Sequence, residues 1–265
     1  MKRRAIIYLA FLLLLLLTVV IAFQSHRPHQ LAPGVELSSG SFNGRSYTVV
    51  RIDLHQASLQ LHWKDPAANP FLTFDHLAEH LAPDRLIFAT NAGIFAPGYV
   101  PLGLHVENGR ELVPLNLASG TGNFYLRPNG VFFIDQNGAH IVESSQYPGT
   151  TPQTRLATQS GPLLVLNNQL NPNFRKDSNN LQVRSAVGVL SSDKIVFVLS
   201  REPLTFYQIA TFFRDKLTCP AALYLDGAIS RFYPGEKPAG GVESNFAGIF
   251  AILENAQRLQ GRHSP

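Results

Sequence analysis

The sequence is poor in the residues that mark disulfide-rich, zinc-binding and nucleic-acid-binding proteins. Cys219 is the only cysteine, so the chain has neither a disulfide framework nor a Cys-x-x-Cys zinc pattern. Charged residues make up only 15% of the chain and the net charge is +4, which provides no extended basic surface. We therefore predict no nucleic-acid partner, and we interpret Cys219 as a small buried side chain.

Several common enzyme signatures are also missing. The chain contains no Gly-x-Ser-x-Gly elbow, no Gly-x-x-x-x-Gly-Lys phosphate loop and no Gly-x-Gly-x-x-Gly turn. Residues 76–80 do match the His-x-x-Glu-His spacing of a group of zinc proteases. We expect His76, Glu79 and His80 to face solvent, because Phe74 and Leu77 lie on the apolar face of the same predicted helix. A zinc-dependent hydrolase built on these histidines stays an alternative, but our main interpretation predicts no metal and no cofactor.

The N-terminus carries the longest apolar run of the chain. Three basic residues at positions 2–4 precede residues 5–23, which contain no charged side chain. A helix of this length, at about 1.5 Å per residue, would cross a bilayer. The basic flank predicts that the rest of the chain lies on the outer side of the membrane. We interpret residues 1–24 as a signal-anchor or transmembrane helix and residues 25–40 as a tether, and cleavage as a signal peptide stays open.

Residues 41–256 show mainly strand patterns. Residues 47–54 and 59–63 are typical of strands, and Asn-Gly pairs at 43–44, 108–109, 129–130 and 137–138 predict hairpin turns. Two helices are predicted: one begins at Thr73 and ends before Pro83, and the other spans residues 205–217. We therefore predict a single α+β domain, in which two main helices pack on an antiparallel or mixed sheet. Residues 257–265 are predicted to form a polar tail.

Polar residues interrupt apolar strands at four places: residues 90–95, 158–162, 183–189 and 226–231. Each place alone has an ordinary structural explanation, such as a turn or a surface arginine. Asp226-Gly227 in particular suits a tight hairpin turn between two core strands. Strands of one sheet can, however, bring their ends to a common edge, where loop residues meet over a rigid scaffold. The four places are therefore candidates for one site.

The ordered motifs at these places resemble those of a known family, the phosphodiester glycosidases. The motifs are Asn-Ala-Gly-Ile-Phe at 91–95, Pro-Leu-Gly-Leu at 101–104, Ser-Gly-Pro-Leu-Leu-Val at 160–165, Arg-Ser-Ala-Val-Gly at 184–188 and Leu-Tyr-Leu-Asp-Gly at 223–227. The resemblance covers roughly residues 53–253. Ala92 replaces a frequent second glycine and Ala228-Ile229 a glycine-rich continuation, as in a compact bacterial branch. The resemblance implies a bacterial envelope protein. Together with the N-terminal apolar run, it predicts a protein anchored in the inner membrane with its domain on the periplasmic side, or secreted after cleavage.

The resemblance implies a hydrolase that cleaves glycosyl phosphodiesters in envelope or extracellular glycans. Breaking the bond between a sugar C1 and a phosphate passes through an oxocarbenium-like state. In this interpretation Arg184 holds the phosphate, and Asp226 activates water or stabilises the charge at C1. The predicted substrate-binding residues are Asn91, Gly93, Gln159, Ser160, Gly161, Gly227, Ser230 and Arg231.

A typical glycosidase needs a second carboxylate, which the sequence does not identify. The open candidates for this second carboxylate are Glu107, Glu143, Asp177, Glu202 and Glu243. The alternative function is therefore a non-catalytic envelope protein that binds a glycan or phosphate.

Overall fold

The computed structural model of the protein describes residues 28–227, 229–235 and 245–255. The predicted membrane or signal helix at residues 1–24 and the predicted tail at 257–265 lie outside the described residues. Within the described ranges, no helix is both long and apolar enough to span a bilayer.

The described part of the chain is built mainly from short antiparallel strands. In chain order these are β1 (His29–Ala32), β2 (Val35–Phe42), β3 (Arg45–Asp53), β4 (Leu59–His62), β5 (Arg85–Asn91), β6 (Phe95–Ala96), β7 (Val100–Pro101), β8 (His105–Glu107), β9 (Arg110–Val113), β10 (Gly130–Asp135), β11 (Gly138–Glu143), β12 (Leu156–Ser160), β13 (Leu163–Leu166), β14 (Gln169–Leu170), β15 (Ser185–Ser191), β16 (Lys194–Ser200), β17 (Ala221–Asp226), β18 (Phe232–Tyr233) and β19 (Ile249–Glu254). These strands form an eight-stranded sheet in the order β1-β2-β3-β16-β15-β17-β13-β14, a five-stranded sheet in the order β11-β10-β12-β8-β9, a four-stranded sheet in the order β18-β5-β19-β4, and the small pair β6-β7.

The three larger sheets enclose one central hydrophobic core. Phenylalanines from all three meet there: the Phe250 ring of β19 lies 5.3 Å from Phe197 of β16 and 5.7 Å from Phe132 of β10. Each of these rings is fully buried, and an aromatic side chain is among the largest apolar contributions to a core. The sheets are therefore held at fixed positions, and so are the strand ends that leave this core.

Two short helices cover the outer faces of two sheets. Helix α1 (Phe74–Leu81) begins at the N-cap Thr73 and packs against the four-stranded sheet. Helix α2 (Phe206–Thr211) continues as a π-helical turn at Phe212–Lys216 and packs against the eight-stranded sheet. The predicted capping box of Thr205 and Gln208 is present at its N-terminus. The predicted positions of both helices are thus confirmed.

The predicted α+β class with two main helices is wrong. Of the residues that the structure describes, 46% lie in strands and only 11% are helical. Both helices are present but short. Each covers part of the outer face of one sheet, and together they do not form a separate helical layer. The prediction relied too much on the two amphipathic helical patterns. A clear helical pattern identifies one helix but does not show what fraction of the fold is helical.

Two local predictions also need correction. Part of the predicted tether at 25–40 forms β1 and most of β2, because Leu31 and Leu37 pack against the central core and Gly34, with φ of +74°, turns the chain between these strands. The predicted hairpins at 43–44, 108–109 and 137–138 are confirmed, whereas 129–130 forms none. There the Asn129 side-chain amide donates to the carbonyl oxygen of Phe124 at 2.9 Å, and the residues before the Asn-Gly pair form a 3-10 turn at Asn123–Tyr125 instead of a strand.

Candidate functional site

Four strand ends from three sheets meet at one rim of the protein. Asn91 ends β5, Ser160 ends β12, Ser185 begins β15 and Asp226 ends β17. The Asn91 amide nitrogen donates to Ser185 Oγ at 3.1 Å, and Ser160 Oγ donates to the carbonyl oxygen of Leu225 at 2.9 Å. Together with Ser230 these residues form what we call the rim site. All four polar interruptions in the sequence therefore contribute a side chain to it.

Ser185 lies at the centre of the hydrogen bonds in the rim site. Its Oγ is 2.8 Å from Ser230 Oγ, 3.2 Å from the carbonyl oxygen of Asp226 and 3.3 Å from Asn91 Oδ1. Ser230 Oγ in turn lies 2.9 Å from the carbonyl oxygen of Asp226. The sequence interpretation overlooked Ser185 in favour of Arg184. The alternation of side chains along a strand could have identified it, because neighbouring residues point to opposite faces of the sheet.

An irregularity in the sheet places Asp226 beside Ser185. Asp226 pairs with Ser185, but Tyr224 pairs with Ala186, so Leu225 is an extra residue in the ladder. Such bulges re-aim side chains at the ends of strands. The chain then leaves the eight-stranded sheet, and β18 pairs with β5 of the four-stranded sheet. Asp226-Gly227 is therefore not the turn of a hairpin between neighbouring core strands.

The Asp226 carboxyl group has an unusual acidity. Burial raises its pKa from 3.8 to about 6, although a hydrogen bond from the Gly227 backbone N–H to Oδ1 acts in the opposite direction. No ion pair in the described part of the chain includes Asp226. A carboxyl group with a pKa near 6 exchanges protons close to neutral pH, which is what general acid or base catalysis requires.

Gly93 and Gln159 form the packed frame below the rim site. A Cβ atom on Gly93 would lie 2.5 Å from the carbonyl oxygen of Gln159, so only glycine fits there. The Gln159 side chain accepts from the backbone N–H groups of Leu104 at 3.1 Å and Asn116 at 2.9 Å. It also donates to the carbonyl oxygen of Asn116 and to Ser144 Oγ. Gln159 therefore fastens the segment 102–116 to β12 and has no free hydrogen-bonding group for a ligand.

Arg184 does not join the hydrogen bonds of the rim site. Its side chain is fully buried on the α2 side of the eight-stranded sheet, with Cζ 3.6 Å from the centre of the Phe206 ring. Nε donates to the carbonyl oxygen of Leu204 at 2.8 Å, and Nη2 donates to that of Asn180 at 2.9 Å. Nη1 has no hydrogen-bond partner among the described residues. The structure thus places a buried cation behind the rim, out of direct contact with Asp226.

Tyr224 lies between Arg184 and Asp226 and is the second residue that the sequence interpretation missed. Burial raises the pKa of its hydroxyl well above the ordinary value, the Asp226 charge raises it further, and Arg184 opposes the change. A Cβ atom on Gly227 would lie 2.6 Å from the Tyr224 hydroxyl oxygen, so this oxygen faces the backbone next to Asp226. A buried tyrosine normally needs a hydrogen-bond partner, which was the available signal.

The other predicted site residues lie around this centre. Gly161 packs against Asn129 and the carbonyl oxygen of Phe124, where a Cβ atom would lie within 2.7 Å of both. Arg231 points away from the rim: its Cζ is 5.9 Å from the ring of Phe74 in α1, and its buried Nε has no hydrogen-bond partner in the described chain. The structure thus brings Gly161 close to the rim site and separates the Arg231 guanidinium from it.

Three of the five candidate second carboxylates pair with other residues outside the rim site. Glu107 Oε1 is 2.8 Å from Nε2 of the buried His105, Asp177 pairs with Arg175, and Glu202 pairs with Arg45. Glu143 is the last residue of β11 and forms no ion pair in the described part of the chain. Glu243 lies outside the described residues. Asp226 is therefore the one carboxylate of the rim site in the part of the chain that the structure describes.

The His-x-x-Glu-His pattern lies in α1, away from the rim. Nδ1 of His76 is 3.0 Å from the carbonyl oxygen of Phe71, and the His80 ring packs at 5.1 Å from the Phe71 ring. The described residues contain no group of three or more His, Cys, Asp or Glu side chains arranged to hold a metal ion. These contacts show how α1 is packed and provide no support for the zinc-dependent alternative.

A β-rich body that gathers hydroxyls, an amide and a residue with a carboxyl group of raised pKa at a common rim has the features of a candidate enzyme active site. The family comparison agrees with this class, because the family model described as phosphodiester glycosidase matches residues 84–241. The chain is also 34% identical over 198 residues to the uncharacterized protein YigE of Escherichia coli K12, covering 74% of this chain and 76% of that protein. The chain belongs to the phosphodiester glycosidase family, and the resemblance seen in the sequence is confirmed.

Solved structures share the fold. The catalytic domain of zebrafish N-acetylglucosamine-1-phosphodiester alpha-N-acetylglucosaminidase, auto-inhibited by its pro-peptide, matches with a TM-score of 0.60 and 16% identity over 87% of this chain and 89% of that one. A hypothetical protein from Synechocystis matches with a TM-score of 0.50 and 14% identity over 83% of this chain and 62% of that one. At these sequence identities the comparison shows a shared fold and does not identify a substrate for this chain.

Proposed function

We propose that the protein hydrolyses a glycosyl phosphodiester of envelope or extracellular glycans, with Asp226 as the catalytic carboxylate. The observation that carries this proposal is the hydrogen-bonded cluster around the end of β17, where Ser185 and Ser230 donate to the backbone carbonyl oxygen of Asp226. Asn91 bonds Ser185, and Ser160 bonds the carbonyl oxygen of Leu225 in the same cluster. These residues come from distant parts of the chain and from three sheets. Family membership supports the class of bond that is cleaved.

The proposed reaction breaks the bond between C1 of the sugar and the phosphate oxygen. The electron pair leaves with the phosphate, and a water oxygen forms the new bond to C1 and loses a proton. A phosphate monoester is a stable leaving group, so the main demand on the protein is to stabilise positive charge at C1 or to accept the water proton. Asp226 suits both tasks, because its pKa of about 6 leaves it ionised but basic at neutral pH.

Arg184 has an indirect role in this proposal. Its guanidinium is buried behind Tyr224 and does not contact Asp226. We propose that its charge favours a negative phosphate on the Tyr224 side of the rim, since a fixed charge in a dry environment acts over a longer distance than in water. The predicted substrate contacts that remain in this proposal are Asn91, Ser160, Ser230 and the backbone at Gly93, Gly161 and Gly227. Gln159 and Arg231 are left out, because the Gln159 side chain is fully hydrogen-bonded and the Arg231 guanidinium lies near Phe74.

Turnover of defined phosphodiesters tests the proposal. The methyl esters of N-acetylglucosamine 1-phosphate, glucose 1-phosphate and mannose 1-phosphate are incubated with the protein, and free sugar and methyl phosphate are quantified. We expect one sugar to be released, and we expect Asp226→Asn to lower its release by at least about 100-fold, as is usual for loss of an acid–base group. Asp215→Asn is the matched control, because Asp215 is an exposed carboxylate that pairs with Arg214 and belongs neither to the rim site nor to the candidate carboxylates.

A single carboxylate in the rim site is the observation that favours the alternative function, a non-catalytic glycan or phosphate binder. Binding of one of these esters without any product would support that alternative. Release of sugar by Asp226→Asn at the wild-type rate would remove Asp226 from the mechanism.

We also propose a bacterial envelope location, with residues 1–24 as the membrane anchor. The uncharged run at residues 5–23 behind three basic residues supports this proposal. The test is membrane fractionation of cells that produce the protein either with or without residues 1–24. Recovery of both versions of the protein in the soluble fraction would contradict the proposal.

A further inference from the structure

Exposed leucines gather at the end of the eight-stranded sheet where Ser185 and Asp226 lie, which we call the rim end. In the part of the chain that the structure describes, only four large apolar side chains are 40% or more exposed. Three of these four are Leu117, Leu126 and Leu181, at 53%, 45% and 46%. A single exposed leucine is ordinary, whereas several at one end of a molecule indicate an interaction surface.

Leu126 and Leu117 are held next to each other at the rim end. Leu126 precedes β10 by four residues, and Gly130 at the start of β10 pairs with Ser160 of the rim site. The Arg127 guanidinium donates to the carbonyl oxygen of Leu117 at 2.8 Å. This hydrogen bond fastens the loop of Leu117 beside Leu126.

Leu181 reaches the rim end from the segment that leads into β15. It follows Asn180, whose carbonyl oxygen accepts from the Arg184 guanidinium at 2.9 Å, and Arg184 directly precedes Ser185. Asn180 and Leu126 line the same cleft, so Leu181 and Leu126 lie near its two sides. All three leucines therefore belong to one end of the protein.

The rim end also carries an excess of positive charge. Asp177 and Glu202 at this end are neutralised by Arg175 and Arg45. Arg201 follows the end of β16, and Lys176 lines a cleft with Arg45 at the start of β3. Three basic residues of this end take part in no ion pair of the described chain: Arg127, Lys176 and Arg201.

The N-terminal end of β1 points toward the rim end. β1 runs antiparallel to β2, with His29 opposite Leu37, so the first residue of β1 is the one nearest the rim end. Across β3 and β16, Ser185 lies level with Ser39 of β2. His29 is therefore only two residues, about 7 Å along the strands, from the level of the rim site.

The chain between the proposed membrane anchor and β1 is short. Only residues 25–28 separate the anchor from His29, and four residues span at most about 14 Å. The folded body is therefore held close to the bilayer. The direction of β1 and the exposed leucines both favour the rim end as the face that meets the lipid.

We propose that the rim end docks on the bilayer that holds residues 1–24, with Leu117, Leu126 and Leu181 inserted at the boundary between headgroups and acyl chains. The unpaired basic residues then lie against anionic headgroups, to which lysine and arginine side chains are attracted. Three leucines alone would bind a bilayer weakly, but the anchor makes the docking intramolecular and so raises the effective lipid concentration. The inference rests on the proposed envelope location and does not depend on hydrolysis.

A fluorescent label on the full-length protein tests this surface. Cys219 is the only cysteine and is buried, so a cysteine introduced at the surface can be labelled selectively. Leu126→Cys and Ser192→Cys are each labelled with nitrobenzoxadiazole and reconstituted in vesicles of phosphatidylcholine and phosphatidylglycerol, with and without a nitroxide-labelled lipid. Ser192 is the matched control position, because it is exposed in the turn between β15 and β16 at the opposite end of the sheet.

We expect the nitroxide lipid to lower the emission at position 126 at least about 2-fold, because a docked side chain lies about 5 to 10 Å inside the interface. The emission at position 192 should stay nearly unchanged. Adding Leu117→Ser and Leu181→Ser to the labelled Leu126→Cys chain should reduce the quenching, since two of the three inserted side chains are then polar. Thermal unfolding of each variant checks that the fold is kept, and Leu181→Cys provides a second labelling position.

The proposal is overturned if positions 126 and 181 are quenched no more than position 192, or if the two serine substitutions leave the quenching at position 126 unchanged. Full-length protein that does not float with the vesicles would reject both the anchor and the docking surface. Turnover of the methyl esters separates this proposal from the hydrolase. Quenching without turnover would reject only the hydrolase, and turnover without quenching would reject only the docking surface.

Discussion

Replacing Asp226 with asparagine should make the protein more stable at neutral pH while it removes the proposed catalytic group. Burial raises the pKa of this carboxyl group from 3.8 to about 6 in the folded protein. The folded state therefore holds a proton between these values that the unfolded state has released. The stability that Asp226 contributes is present below pH 4 and is lost as the pH rises through 6.

The size of the effect follows from the pKa difference. About two pKa units correspond to about 3 kcal/mol of unfolding free energy, and relaxation around the charged group makes this an upper value. Asparagine keeps an oxygen that can accept the hydrogen from Gly227 N and carries no charge to bury. We therefore expect Asp226→Asn to match the wild type near pH 3.5 and to exceed it by about 1 to 3 kcal/mol at pH 8.

Urea unfolding between pH 3.5 and 8, followed by the fluorescence of Trp63, measures this difference. Trp63 is the only tryptophan and is 6% exposed, so its emission reports unfolding. Asp177→Asn is the control, because Arg175 holds the pKa of Asp177 below its usual range and the opposite pH trend is expected. A stability difference between wild type and Asp226→Asn that does not change with pH would refute the reasoning.

Three further substitutions test the frame around the site by urea or thermal unfolding. Gln159→Ala leaves the backbone N–H groups at positions 104 and 116 without their acceptor, and we expect a loss of about 2 to 4 kcal/mol. Gly93→Ala forces a Cβ against the carbonyl oxygen of Gln159 and should cost about 1 to 3 kcal/mol, whereas Gly40→Ala, with no atom within 4 Å, should be nearly neutral. Arg184→Met leaves the carbonyl group of Asn180 without its guanidinium donor and that of Leu204 with the Gln182 backbone N–H alone. We expect a loss of about 2 kcal/mol in unfolding free energy, and an unchanged Tm would contradict the buried role of Arg184.

Local elements of this fold were predictable from the sequence, and the arrangement of the sheets was not. The start of α1 at Thr73 and the capping box at Thr205 follow from residues only a few positions apart. The three sheets depend on contacts such as that of Phe132 with Phe250, for which the sequence contains no pairing signal. The α+β prediction failed at this level, because short strands have weak individual patterns and the helical patterns are easy to see.

The candidate site was predictable as a set of strand ends and unpredictable in its side-chain contacts. Asn91, Ser160 and Asp226 are polar residues at the ends of apolar strands, and this pattern indicated that they belong together. Whether a particular side chain points to the rim or to the opposite face depends on register, and a shift of one residue reverses it. The sequence interpretation chose Arg184 because of its charge, whereas the register of β15 against β17 places Ser185 beside Asp226.

The bulge at Leu225 explains how the end of β17 contributes both to the rim site and to the surroundings of the buried Arg184. Two residues apart on a regular strand, Tyr224 and Asp226 would point to the same face. Because the ladder shifts between Ser185 and Ala186, Asp226 instead pairs with Ser185 while Tyr224 stays with the α2-side core and Arg184. Asp226 thus lies at the rim, where its backbone carbonyl oxygen accepts from Ser185 and Ser230, in the same strand as a tyrosine that lies against a buried guanidinium. Tyr224 therefore lies between the buried Arg184 guanidinium and the Asp226 carboxyl group, and these two charges act in opposite directions on the pKa of its hydroxyl.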